Sequence, residues 1–235
     1  MKLSSKFLIL TVIIFSNPSF SSNDYLKLGT SILSDLVAIE STAGMGLATE
    51  ASELSKTLLL NHGFDDEDLK VIGPTDSSKG LYAVYKGQSS NKPIVVMAHI
   101  DVVPAVKDAW DTDPFQLVEI DGFLHGRGAS DNKGGAAALL TTFIRLKEEG
   151  FTPKNDIIML LTGDEETGMD SIRYFRDNLE SVRRAPFAFN SDGGYITGTM
   201  KNPEAFRLQS AEKVYMTVTM TTSNRGGHSS IPRPD

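Results

Sequence analysis

Apolar positions recur along the chain with two periods, and the alternation between them predicts most of its elements. Leu26, Leu28, Ile32, Leu33, Leu36 and Val37 form one stripe at helical spacing, and Asn23 or Asp24 would cap a helix running through about Ser41. A second helix is predicted from Glu50 to Asn61, stopped by the glycine of His62-Gly63. Leu81–Tyr85 and Ile94–Ala98 are short β-rich runs between polar turns. Asp121-Gly122 predicts a hairpin turn joining Phe115–Ile120 to Phe123–His125. The Ala- and Leu-rich Gly134–Glu149 predicts a helix, Asp156–Thr162 a buried strand, Ser171–Leu179 a further helix and Phe187–Phe189 a short strand. Such alternation predicts an α/β fold with a mixed, largely parallel sheet and helices on both faces.

The two ends follow other patterns. Lys2 and Lys6 precede a nine-residue apolar run, Phe7–Phe15, and Ser19-Phe20-Ser21 then offers small residues at signal-peptidase spacing. Residues 1–22 are therefore expected to be a signal peptide, with the mature chain beginning near Ser22 or Asn23 in a secreted or periplasmic location. A membrane-spanning helix needs ~20 apolar residues, so no stable membrane span is expected once the signal is cleaved. At the other end, Lys213–Thr221 alternates with period two, predicting a half-exposed strand that opens a second domain. The expected organisation is a first domain over 23–210 and the start of a small α+β domain over 211–235. Because the pattern breaks off inside Arg225–Asp235, the sequence is expected to be part of a longer one.

Composition narrows the function. The chain has 235 residues, enough for one large domain or a domain and a fragment. Its 23 Lys plus Arg against 30 Asp plus Glu give a net charge of −7, so no nucleic-acid partner is expected. With no cysteine, disulfides, zinc fingers, iron–sulfur clusters and thiol catalysis are excluded. Any metal must sit on carboxylates and the four histidines.

Those residues fall at predicted strand ends, where open α/β sheets bind ligands. His99 and Asp101 close the Ile94–Ala98 run, two apart and so on one face if extended. An imidazole can bind a metal while a carboxylate behind it fixes the tautomer. Gly126-Arg127-Gly128-Ala129-Ser130-Asp131 resembles a dinucleotide loop, but the third glycine position holds Asp131, whose charge would repel pyrophosphate. Asp131 can instead bridge two cations. Asp164-Glu165-Glu166 crowds three carboxylates after a strand, and Asp192 follows another. Clustered carboxylates repel one another unless a cation or protons neutralise them. Oxygen ligands with imidazole suit zinc, manganese or cobalt, and three separate acidic segments favour two ions over one.

These segments resemble the M20 metallopeptidases, among them glutamate carboxypeptidases, aminoacylases, succinyl-diaminopimelate desuccinylases and carnosinase-type dipeptidases. The resemblance runs from about residue 24 to the end. It is carried by Ala98-His99-Ile100-Asp101-Val102-Val103-Pro104, Gly126–Gly134, Asp164-Glu165-Glu166-Thr167-Gly168, Asn190-Ser191-Asp192-Gly193 and Gly226-Gly227-His228-Ser229. It implies a zinc-exopeptidase-like fold and two divalent metal ions, zinc first, with cobalt or manganese as alternatives. His99 and Asp192 would hold the first metal, with Asp101 orienting His99. Asp131 would bridge the two, Glu166 would bind the second, and Glu165 would be the general base.

The resemblance further implies that His228 lies in a dimerisation (lid) domain and reaches a substrate carbonyl or carboxylate, and that Asp131–Asn132 is a cis peptide. A small peptide or N-acyl amino acid is the implied substrate, and a homodimer the implied assembly of the full-length protein. The Glu212–Tyr215 segment tilts the reading toward an exopeptidase of carboxypeptidase type. One departure stands out: the family takes a last histidine ligand from later in its catalytic domain, and no histidine follows His228. An N-acyl amino-acid deacylase and a catalytically incomplete remnant therefore stay open. Elsewhere, Trp110 is expected to be a structural anchor, His125 a packed or hydrogen-bonded neighbour of the site, and His62 a partner of terminal helix carbonyls.

Overall fold

The computed structural model describes residues 21–199, 202–211, 214, 216–223, 225–228 and 230–231. The expected signal peptide thus lies almost wholly outside the described residues, as do Lys213 and Tyr215 of the expected final strand. The chain divides into two compact units, residues 1–192 and 193–235. The second begins upstream of the 210/211 boundary expected from the sequence.

In the first unit, helix α1 (Ser22–Ala38) starts one residue ahead of the predicted caps. Its cap is Ser21, whose backbone N–H and hydroxyl both donate to Asp24 Oδ2, at 2.9 and 2.8 Å. Ile32, Leu33, Leu36 and Val37 are buried as the stripe requires, while Leu26 is exposed. Helix α2 (Leu47–Asn61) ends at His62 and the left-handed Gly63. Strands β1 (Leu69–Ile72), β2 (Gly80–Tyr85) and β3 (Ile94–His99) follow, then a hairpin of β4 (Val118–Ile120) and β5 (Phe123–His125). Asp121 and Gly122 both take positive φ, as a two-residue hairpin turn of this kind needs. Helix α3 (Lys133–Glu148), strand β6 (Ile157–Thr162), helices α4 (Asp170–Asn178) and α5 (Glu180–Arg183), and strand β7 (Phe187–Asn190) complete the unit.

The main sheet has the order β1-β2-β6-β3-β7. β6, β3 and β7 run parallel, whereas β1 and β2 join antiparallel, so the mixed sheet is parallel only on the side that carries the site. The antiparallel pairings come from β2, which runs against both β1 and β6; β1 itself is a four-residue strand that the apolar pattern does not reveal. Helices cover both faces. Leu81, Ala83, Ala98, Met159 and Leu161 pack under α1, α2 and α3, while Tyr82, Val95, Ile158 and Leu160 pack against Phe175 of α4. The sheet residues of the two clusters alternate along β2 and β6, as a sheet buried on both sides demands.

In the second unit, β8 (Tyr195–Gly198) and β9 (Pro203–Arg207) form an antiparallel hairpin that the sequence reading did not predict. The strand expected over Lys213–Thr221 is not there among the described residues: 216–221 are irregular, and Met216, Val218 and Met220 are exposed. Period-two alternation sets which faces a strand would present. It cannot supply the neighbouring strand whose hydrogen bonds make one.

Candidate metal centre

Parallel pairing of β3 with β6 and β7 brings three chain turns to one sheet edge. His99 is in register with Thr162, Ile100 N–H donates to the Thr162 carbonyl at 2.9 Å, and Ser191 N–H donates to the Met97 carbonyl at 2.9 Å. The residues just past each strand, Ile100-Asp101, Gly163–Glu166 and Ser191-Asp192, therefore meet. The Gly126–Asn132 loop joins them ahead of α3, with a cis peptide at Asp131–Asn132.

His99 is the fixed point, with only 2% of its side chain exposed. Its Nδ1 lies 3.0 Å from the Asp101 carbonyl and 3.5 Å from Asp101 Oδ1. Nε2 faces outward, 2.8 Å from Asp131 Oδ1, 3.7 Å from Asp192 Oδ2 and 3.8 Å from Glu165 Oε2. Burial works against a charged ring, but the Asp101 and Asp192 carboxylates outweigh it and push the His99 pKa up to about 9.

Asp101 is fully buried and does more than face the histidine. Its Oδ1 accepts the Glu165 N–H at 3.1 Å and its Oδ2 the Glu166 N–H at 3.0 Å. One carboxylate thus ties the end of β3 to the loop after β6. Burial raises the pKa of both Glu165 and Glu166; for Glu166 the Asp131 charge adds to it, and for Glu165 the charges of Asp192 and Glu166 do.

Two buried residues to which the sequence assigned no role of their own shape the same loops. Asp164 accepts N–H bonds from Asp170 (2.9 Å) and Ser171 (3.0 Å) and the Ser171 hydroxyl, closing the acidic turn onto the start of α4. The capping group arrives from six residues upstream, so no local cap spacing revealed it. Lys133 is completely buried, and its Nζ donates to the Ile39 carbonyl at 2.6 Å. Burial pulls its pKa down to about 8, against the opposing pull of Asp101 and Glu40. A signal existed here: a cation in the first turn of a helix opposes the dipole and needs a reason.

His99, Asp131 and Asp192 each offer a ligand atom, all within 4.8 Å of one another. That donor set, one imidazole nitrogen with two carboxylate oxygens, fits a divalent cation such as zinc. Glu165 and Glu166 lie on the loop that Asp101 holds beside it. His228 belongs to the second unit, exposed, with the Ser230 hydroxyl 2.7 Å from its Nδ1. Of the remaining histidines, His125 is exposed on β5 rather than packed, because the two-stranded hairpin leaves that strand uncovered. His62 pairs with Glu148 Oε1 at 3.1 Å rather than with helix carbonyls, since α3 passes within reach of its ring. Trp110 stacks under the Arg127 guanidinium at 5.3 Å, consistent with an anchoring role.

Residues 95–222 match the model of peptidase family M20/M25/M40, and the chain belongs to that family. Two relatives are informative. A probable succinyl-diaminopimelate desuccinylase from Staphylococcus aureus is 34% identical over 220 residues, 91% of this chain and 48% of the relative. The zebrafish (Danio rerio) N-fatty-acyl-amino acid synthase/hydrolase PM20D1.1 is 34% identical over 158 residues, 65% of this chain and 30% of the relative. The chain thus spans about a third to a half of the length of these relatives. Among solved structures, human carnosine dipeptidase 1 shares the fold with a TM-score of 0.64 at 21% identity, over 74% of this chain and 40% of that one. A dinuclear metal-binding M20 peptidase of Bacillus subtilis gives 0.54 at 17% identity, over 73% and 44%.

Proposed function

We propose that this chain carries the metal centre of a dinuclear, metal-dependent hydrolase that cleaves the amide bond of small peptides or N-acyl amino acids. The carrying observation is the convergence of one ligand atom each from His99, Asp131 and Asp192 within 4.8 Å of one another, with Glu165 Oε2 3.8 Å from His99 Nε2. In this reading His99 and Asp192 would hold one cation, Asp131 would be shared with a second, and Glu166 would hold the second. Bound divalent ions, zinc first and cobalt or manganese as alternatives, would polarise the scissile carbonyl and ease deprotonation of water.

The chain's own residues do the rest. Asp101 holds the Glu165 and Glu166 backbone and, through His99 Nδ1, keeps Nε2 directed outward. Glu165 Oε2 takes a proton from the attacking water and returns it to the leaving nitrogen as the C–N bond breaks. Glu166 cannot share this duty, since a carboxylate bound to a cation is a poor base.

The relatives divide between acyl-amino-acid and peptide substrates. An exopeptidase of carboxypeptidase type is the first reading and an N-acyl amino-acid deacylase the second. Export, a homodimer and contact of His228 with the substrate belong to the same proposal. The test is metal content with hydrolysis of paired dipeptide and N-acyl amino-acid substrates, for wild type and Glu165→Gln. Glu165→Gln is expected to lose at least about a hundredfold in rate while keeping its metal. Wild-type rates in that variant would remove the assigned base, and a chain without metal would favour a non-catalytic remnant.

A further inference from the structure

Lys133 holds no ligand or proton in the site as described so far, yet it is among the largest fully buried side chains of the described residues. Its stem runs between two loops: a methyl placed on Gly128 would lie 2.9 Å from both Lys133 Cδ and Val102 Cγ1. Gly128, with φ of +86°, has the backbone conformation and the missing side chain that this passage requires. The ammonium emerges beyond the loops and donates to Ile39, the residue that terminates α1. Carbonyls at a helix C-terminus carry partial negative charge, so the cation there is well placed.

The segments that Lys133 joins all lead to the site. Val102 directly follows Asp101, Gly128 lies three residues before Asp131, and Lys133 itself lies two residues after it. Ser41, just past Ile39, completes the tie: its hydroxyl donates to the Ile100 carbonyl at 2.5 Å, and its carbonyl accepts the Val102 N–H at 3.1 Å. Asp131 itself is an exposed side chain on an irregular loop, so its placement against buried His99 must come from what anchors that loop.

We propose that Lys133 is a positioning residue: by spanning from the Asp131 loop to the end of α1, it holds the Asp131 carboxylate in place against His99 for the cation. The inference rests on the metal-site reading above. Its sign separates it from other roles. A buried positive charge near a cation site repels the cation, so a purely electrostatic Lys133 predicts tighter metal binding when the charge is removed. A merely structural Lys133 predicts a changed melting temperature with unchanged affinity in the folded protein. A positioning Lys133 predicts weaker binding.

The experiment titrates the metal-free chain with Co²⁺, following the visible d–d absorption, for wild type, Lys133→Met and Gly128→Ala. Methionine keeps the apolar stem and deletes the ammonium. Lys133→Met is expected to bind at least tenfold more weakly, with an altered d–d spectrum at saturation. Gly128→Ala, which displaces the stem but keeps the charge, is expected to weaken binding in the same direction. Equal or tighter binding by Lys133→Met overturns the proposal, and should that variant fail to fold, unchanged affinity in Gly128→Ala overturns it instead. Wild-type chain that takes up no cobalt fails the metal-site reading itself and this inference with it. Normal wild-type uptake with the wrong sign in the variants fails this inference alone.

Discussion

The ends of β3 and β7 each bring a ligand candidate to the same place, and the fold holds them in opposite ways. β3 has a strand on either side, and its last residue, His99, is 2% exposed with Asp101 equally buried behind it. Among the described residues β7 pairs with β3 alone, all its residues are exposed, and the Asp192 side chain beyond it is 28% exposed. Asp131, on its loop, is 66% exposed. In the proposed centre one nitrogen is thus fixed by packing alone, and its carboxylate partners sit on the accessible side. Burying the histidine fixes its direction, while leaving the acids near water limits the cost of gathering negative charge.

The comparison breaks most visibly if the support beside β3 is removed. Leu160 of β6 is fully buried in the cluster with Val95 and Phe175. Leu160→Ala should cost about 2–5 kcal/mol through lost burial and an unfilled cavity. Urea unfolding of the metal-free protein measures it, and a loss below about 1 kcal/mol would mean the β3 side is not the rigid one. Next comes Asp101→Asn. The carboxylate accepts from both Glu165 and Glu166, whereas an amide can accept from one and must point its own N–H₂ at the other. About 1–3 kcal/mol should be lost, because one buried N–H loses its acceptor. Unchanged stability would show that the acidic loop does not depend on β3.

The same contrast explains what could be read from the sequence. β3, β6 and α3 are long apolar runs whose period survives any tertiary context, and the ligand candidates at their ends were legible with them. The Asp121-Gly122 turn was legible because two positive φ values leave few residue choices. What escaped was non-local. β1 is recognisable only by its pairing with β2, and Asp164 caps a helix from six residues away. Lys133, in the first turn of its helix, signals only that its charge needs a partner; which partner it finds depends on the Gly128 and Ile39 segments folded around it. The Lys213–Thr221 alternation erred the other way, as a clear period without a paired neighbour among the described residues.

The exposed side of the comparison should respond to ions more than to denaturant. Asp192→Asn removes a charged oxygen that lies 3.7 Å from His99 Nε2 and completes the cluster with Asp131. Cation affinity should fall at least tenfold, about 1.4 kcal/mol, since the amide is a weaker and neutral donor. Stability without metal should stay within about 0.5 kcal/mol, as expected for a change outside the packed core. Cobalt titration and urea unfolding of one preparation give both numbers. A large stability loss with intact affinity would invert the assignment, making Asp192 a structural residue.

The smallest effect is expected on β7 itself, and it is the most direct check on the contrast. Phe189 is in register with Val96 of β3, yet its ring is exposed. An aromatic ring in the core costs about 3–5 kcal/mol to truncate, mostly through burial and cavity terms that an exposed ring does not supply. Phe189→Ser should therefore change stability by no more than about 0.5 kcal/mol and leave cobalt affinity unaltered, because the backbone bond from Ser191 to Met97 positions Asp192 without it. A loss of more than about 2 kcal/mol would require that the ring is packed in solution. β7 would then be as firmly held as β3, and the accessible side of the centre would be pre-formed as well.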